Sequence, residues 1–200
     1  MLTLIPHLFP NITGGSVTFG GALYANSYNN DLVIANCTFE RNQSPAGHGG
    51  AIYINSNNNN FFVEKSNFSL NSAFNRGGAI YSEFNNNNGQ VLNSFFDDNE
   101  GIDKGGAVFV NGRNGISFKG CAFNRNIGGD SGGAVYTAIS LLYSSSITYV
   151  DFTDCSFDHN TATVSDGGIT CVNYLSQNEM FLHPYELSTS LTIFDRCSLL

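Results

Sequence analysis

Six Gly-Gly doublets punctuate this sequence, each followed by a small or aliphatic residue: Gly20-Gly21-Ala22, Gly49-Gly50-Ala51, Gly77-Gly78-Ala79, Gly105-Gly106-Ala107, Gly132-Gly133-Ala134 and Gly167-Gly168-Ile169. They stand 29, 28, 28, 27 and 35 residues apart. A second motif, Phe-x-x-Asn, keeps step at Phe39/Asn42, Phe68/Asn71, Phe96/Asn99, Phe123/Asn126 and Phe157/Asn160. Each of its asparagines precedes the next doublet by six or seven residues. A fixed period of this length marks a solenoid, whose unit cannot bury its apolar face alone and must stack on its neighbours.

Each unit reads as three short strands separated by turns. Strand residues alternate faces. After the doublets, one face collects Leu23, Ile52, Ile80, Val108 and Val135, with Ala25, Ile54, Val110 and Val172 two places on. The opposite face collects the doublet alanines, then Tyr or Phe, then mostly Asn. The aliphatic column is expected inside and the tyrosines outside. A later strand places Ile34, Val63, Val91, Phe118, Phe152 and Phe194 five residues before the Phe position. These units predict an all-β chain, a right-handed, single-stranded parallel β-helix of the pectin-lyase-like kind. About six coils of roughly 28 residues form one domain over 1–200, with 1–19 a degenerate part-coil and 19–199 the repeats. At about 4.8 Å per coil the rod is on the order of 25–30 Å long.

Stacking gives the motif residues structural roles. Phe39, Phe68, Phe96, Phe123 and Phe157 form an inward column, each burial contributing about 1.5–3 kcal/mol. Asn tolerates left-handed backbone, so Asn42, Asn71, Asn99, Asn126 and Asn160 suit the corner after the strand and can pair as an amide ladder. The doublet glycines supply positive φ or a close approach of coils.

Charged residues make up 12% of the chain, about half the usual share, and 27 Asn and 22 Gly take the space. A net charge of −8 opposes binding to nucleic acid and to anionic lipid. No apolar run approaches the ~18 residues of a membrane helix. The chain starts without a secretion signal and stops as a new Phe-x-x-Asn motif begins, with no polar cap, so it is expected to be a piece of a longer solenoid.

Copies differ in the connection after the doublet strand: Asn26 to Asn30, Asn55 to Asn60, Glu83 to Gly89, Asn111 to Gly115, and the longer Asn173 to Ser190. Solenoids often bind through such a face. Met180, Phe181, His183 and Tyr185 in the longest loop are the candidate binding residues. Cys37, Cys121, Cys155 and Cys197 share one column, two places before the Phe position, with Ser66 and Ser94 in the other copies. They are expected as buried free thiols, Cys121 and Cys155 being near enough to pair on oxidation. No metal ligand set or cofactor site is expected.

Gly47-His48-Gly49 and Asp97-Asp98 resemble polygalacturonase signatures, but in the wrong order, and the repeat explains both. No carboxylate pair stands out for glycoside hydrolysis. The expectation is therefore no enzyme; the alternative is a carbohydrate-active enzyme, a polysaccharide lyase or glycoside hydrolase, with an unrecognised site. Sequons stand at Asn11, Asn36, Asn42 and Asn67. Asn42 is assigned to the ladder and Asn36 and Asn67 border core positions, which leaves Asn11 as the expected glycan site.

The alternation of Gly-Gly-Ala-Ile/Leu/Val with Phe-x-x-Asn over residues 19–199 resembles the repeat of the polymorphic outer-membrane protein family. That family is best known from chlamydial surface autotransporters, and similar repeats occur in parasite surface proteins. The resemblance implies a surface or secreted β-helix acting in adhesion or antigenic display. Its expected partner is a host or neighbouring cell-surface protein or glycan. The chain is expected to depart from that family in carrying no translocator barrel, signal or anchor within these 200 residues.

Overall fold

The computed structural model describes residues 18–139 and 148–164, and the strand backbones Thr3–Leu4, Thr170–Tyr174, Ser190–Asp195 and Ser198–Leu199. It is an all-β parallel solenoid, in which each strand pairs with the equivalent strands one repeat before and after. No helix occurs among the described residues, so none is long and apolar enough to cross a membrane.

Every turn begins at a doublet, and its two glycines answer different constraints. The first has positive φ, +65° at Gly49 and +66° at Gly77, a region costly for a residue with a Cβ. The second has no such φ. A Cβ on Gly78 would lie 2.2 Å from the Gly106 carbonyl oxygen of the next coil, so only hydrogen fits. Conformational freedom and close approach, offered as alternatives by the sequence, are both used, one by each glycine.

Among the described residues four sheets run along the rod. The doublet sheet holds Leu23–Ala25, Ile52–Ile54, Ile80–Ser82, Val108–Val110, Val135–Ile139 and Thr170–Tyr174. A middle sheet includes Val33–Ala35, Phe62–Glu64, Gly89–Leu92, Gly115–Lys119 and Thr148–Thr153. The phenylalanine sheet includes Thr38–Glu40, Asn67–Ser69, Phe95–Asp97, Ala122–Asn124 and Ser156–Asp158. The fourth, a corner sheet, is built from two-residue strands such as Ser72–Ala73 and Glu100–Gly101. Four strands per turn therefore replace the expected three, because a two-residue strand has no alternation to read. Of the six coils counted from the doublets, four are traced without interruption among the described residues, from Gly20 to Ser131.

The interior is built from the expected columns. Ile34, Val63, Val91, Phe118 and Phe152 are buried, as are Ile52, Ile80, Val108 and Val135. The phenylalanines of the motif stack nearly face to face, with centroids 4.8, 4.9, 4.7 and 5.0 Å apart from Phe39 to Phe157. Phe118 and Phe152 meet that stack edge-on at 5.6 and 5.2 Å, giving it favourable T-shaped neighbours. Where Phe95 and Phe96 adjoin, Phe96 fills the column and Phe95 is 56% exposed.

Two assignments change. The doublet alanines are expected on the tyrosine face, but Ala51, Ala79, Ala107 and Ala134 are buried in the main core and Ala22 packs against it. The amides of Ala51 and Ile52 both donate to the Ala79 carbonyl, so the backbone there does not alternate as a strand does. The tyrosines do lie off the core, yet Tyr53, Tyr81, Phe109 and Tyr136 are buried in a second, separate cluster.

Candidate functional site

The Asn ladder forms in full and is structural. Asn99 accepts at Oδ1 from the backbone N–H and Nδ2 of Asn71, at 3.1 and 2.9 Å. Its own Nδ2 donates to the Asn126 Oδ1 and the Phe68 carbonyl, both at 2.9 Å. Two donors and two lone pairs are thereby satisfied, the complete capacity of a primary amide. The same pattern continues to Asn160. The left-handed residue at this corner is not the Asn, as expected, but its predecessor: Arg41, Leu70, Asp98, Arg125 and His159 have φ of +50° to +56°. That twist turns the next side chain inward.

The Asn-rich connections of the early coils are stacked as well. Asn58, Asn86 and Asn114 are buried and form a second ladder, with backbone N–H to Oδ1 bonds of 2.7 and 2.6 Å along it. Beside it runs an exposed ladder in which Asn59 donates to Asn30 and Asn87 to Asn59. The sequence marks these connections as the place where copies differ; in the structure their amides repeat from coil to coil. The signal was present in the sequence as Asn at equal spacing from each doublet. It was obscured because Asn is frequent throughout.

The outer aromatic stack has its own cover. Tyr53, Tyr81, Phe109 and Tyr136 stand 5.0, 5.1 and 5.2 Å apart. The residue preceding each of the first four doublets lies over the ring one coil beyond that doublet's own. Phe19 covers Tyr53 at 4.6 Å, His48 covers Tyr81 at 4.6 Å, Arg76 covers Phe109 at 5.1 Å, and Lys104 covers Tyr136 at 4.9 Å. Sequence reasoning missed this column, which runs through Phe19, His48, Arg76 and Lys104 to the small Ser131 and keeps no common chemistry. Burial and then the hydrogen bond to Glu83 push the Tyr53 hydroxyl well up from its ordinary range. Burial and the nearby Arg76 push His48 down.

Chemistry sought from the sequence does not assemble. His48 belongs to this aromatic cover, whereas Asp97 and Asp98 lie at the phenylalanine sheet and pair with Arg125 at 2.5 and 3.0 Å. Among the described residues no group of three or more His, Cys, Asp or Glu is placed to hold a metal ion. Cys37, Cys121 and Cys155 are buried, and the hydrogen bond to Cys121 together with burial pushes the Cys155 thiol up. Met180, Phe181, His183, Tyr185, Asn11 and Cys197 lie outside the described residues.

A concavity lies on the rod's outer surface. It opens over the phenylalanine sheet, has a volume of about 480 Å³, and is lined by Asn36, Thr38, Lys65, Asn67, Phe95 and Asp97 among others. Its floor is the outward side of strands whose inward side carries the Phe column. Exposed Phe95 supplies an apolar face, and the surrounding amides, hydroxyl, ammonium and carboxylate supply donors and acceptors.

Neither the curated proteins nor the solved structures contain a significant match to the chain. Two adjacent repeats, residues 36–55 and 65–83, each run from a Phe-x-x-Asn motif through the following doublet strand, and both match the family model of the Chlamydia polymorphic membrane protein repeat.

Proposed function

We propose that this solenoid is a non-catalytic rod displayed at a cell surface or secreted, acting in adhesion or antigenic display through its longer loops. The observation that carries this reading is the match of two consecutive coils to a membrane-protein repeat, on a parallel β-solenoid that such a repeat suits. Stacking accounts for the Phe and Asn motifs, the doublets and the early Asn-rich loops, so the segments outside the ladders are left to vary. The 173–190 segment, with Met180, Phe181, His183 and Tyr185, departs most in length and is the proposed contact for a cell-surface protein or glycan.

The test is binding of the immobilised chain to host or neighbouring cells and to extracellular-matrix glycans. A variant with 175–189 replaced by the short Asn55–Asn60 connection, which keeps the strands Thr170–Tyr174 and Ser190–Asp195, is the comparison. Binding that falls with the replacement supports the reading; absence of binding by both chains refutes it.

A further inference from the structure

We propose that Asn67 is an acceptor for an N-linked glycan, whose first sugar packs against Phe95 in the concavity over the phenylalanine sheet. Sequence reasoning set this sequon aside because Asn67 borders the core. The structure separates it from its neighbour in kind. Asn42 also heads a sequon, but its side chain is 1% exposed and its Nδ2 donates to Asn71 Oδ1 at 2.9 Å, so a sugar there would break the ladder. Asn67 sits on the outward side of its strand and is exposed. Its backbone amide is held by the Cys37 carbonyl at 2.9 Å, which leaves the side chain as the group facing the concavity.

Three features of the surroundings fit a saccharide. Phe95 is the register partner of Asn67 on the next strand and is 56% exposed, the one large ring among the described residues of a column otherwise made of Thr38, Asn67, Ala122, Ser156 and Ser198. Strands in a sheet are about 4.8 Å apart, so a sugar joined at the amide lies at the level of that ring. Sugar C–H groups pack on an aromatic face as other apolar groups do. Asp97 and Lys65 flank the same concavity and can serve the sugar hydroxyls.

The modification is ordinary sequon chemistry and needs Ser69 at the third position. The donor is an oligosaccharide linked to a lipid through pyrophosphate. A bond forms between Nδ2 of Asn67 and C1 of the reducing-end N-acetylhexosamine. The bond from C1 to the pyrophosphate oxygen breaks, the lipid pyrophosphate leaves with the electron pair, and one amide proton passes to solvent. Transfer precedes folding, so the fold's part is to leave the sugar outside; it does so at Asn67 and not at Asn42.

The proposal rests on export, and the experiment supplies export itself. The full chain is secreted from a yeast host behind a cleavable signal, and the folded product is treated with peptide N-glycosidase in heavy-oxygen water and mapped by mass spectrometry. The expected result is label at position 67 in most molecules and none at position 42, with the position-67 label removed by Ser69→Ala. Phe95→Ala should keep the glycan but hasten its enzymatic release from the native protein several-fold. An unlabelled position 67, or equal labelling at 42, overturns the site; an unchanged release rate overturns the packing on Phe95. Either failure leaves surface display to the cell-binding assay, which reads it separately.

Discussion

Asn99 is fully buried, and all four of its amide bonds run along the ladder. Replacing it by aspartate changes almost no volume and tests the ladder alone. In Asn99→Asp the oxygen facing Asn71 keeps both bonds it accepts. The other oxygen takes the place of Nδ2 and meets the Phe68 carbonyl and Asn126 Oδ1, neither of which can donate to it. A carboxylate left buried without a compensating partner costs about 3–5 kcal/mol. Protonation relieves most of this, since the acid donates one of the two lost bonds; the remaining deficit is about 1–2 kcal/mol. The introduced carboxyl therefore has a folded-state pKa above its unfolded value of about 3.9. With the folded pKa raised, its stability is fully present below about pH 4 and lost as pH rises through the folded value. For a chain of this length each kcal/mol moves the midpoint by about 2–4 °C. Thermal unfolding followed by circular dichroism should show Asn99→Asp melting roughly 6–20 °C below the parent at pH 7, with the gap narrowing at pH 4. A gap that is absent at pH 7, or the same at both pH values, refutes the inward, fully bonded amide.

Phe96→Ala should cost about 3–5 kcal/mol, whereas Phe95→Ala, on the exposed side of the same strand, should stay within about 0.5 kcal/mol, both read by urea unfolding. Gly78→Ala should cost about 1–3 kcal/mol or more, because its Cβ would press on backbone 2.2 Å away in the next coil. Burial and Arg76 lower the His48 pKa, so the stability it contributes is present above about pH 6.5 and lost as pH falls below. His48→Phe should flatten that acid-side loss in a pH series of melting curves. The thiols of Cys37, Cys121 and Cys155 should resist a thiol reagent in the native chain and react once it is unfolded, and rapid native labelling of all three would refute their burial.

The repeat was legible in the sequence because stacking puts like residues on like. Phe68 lies beside Phe96, and Asn71 beside Asn99, so each column keeps a chemical character that spacing exposes. That settled an all-β coil stack, its period and most of its core. Tertiary structure decided matters that depend on contact between coils. The side of Ala51 followed from a carbonyl shared between two amides. The covers of Tyr81 by His48, Phe109 by Arg76 and Tyr136 by Lys104 come from residues with no shared type to read along the sequence. The contrast between Asn42 and Asn67 comes from which side of the coil wall each faces. Two asparagines in equivalent tripeptides have the same local chemistry. Only the closed coil makes one a structural bond and leaves the other open to the surface.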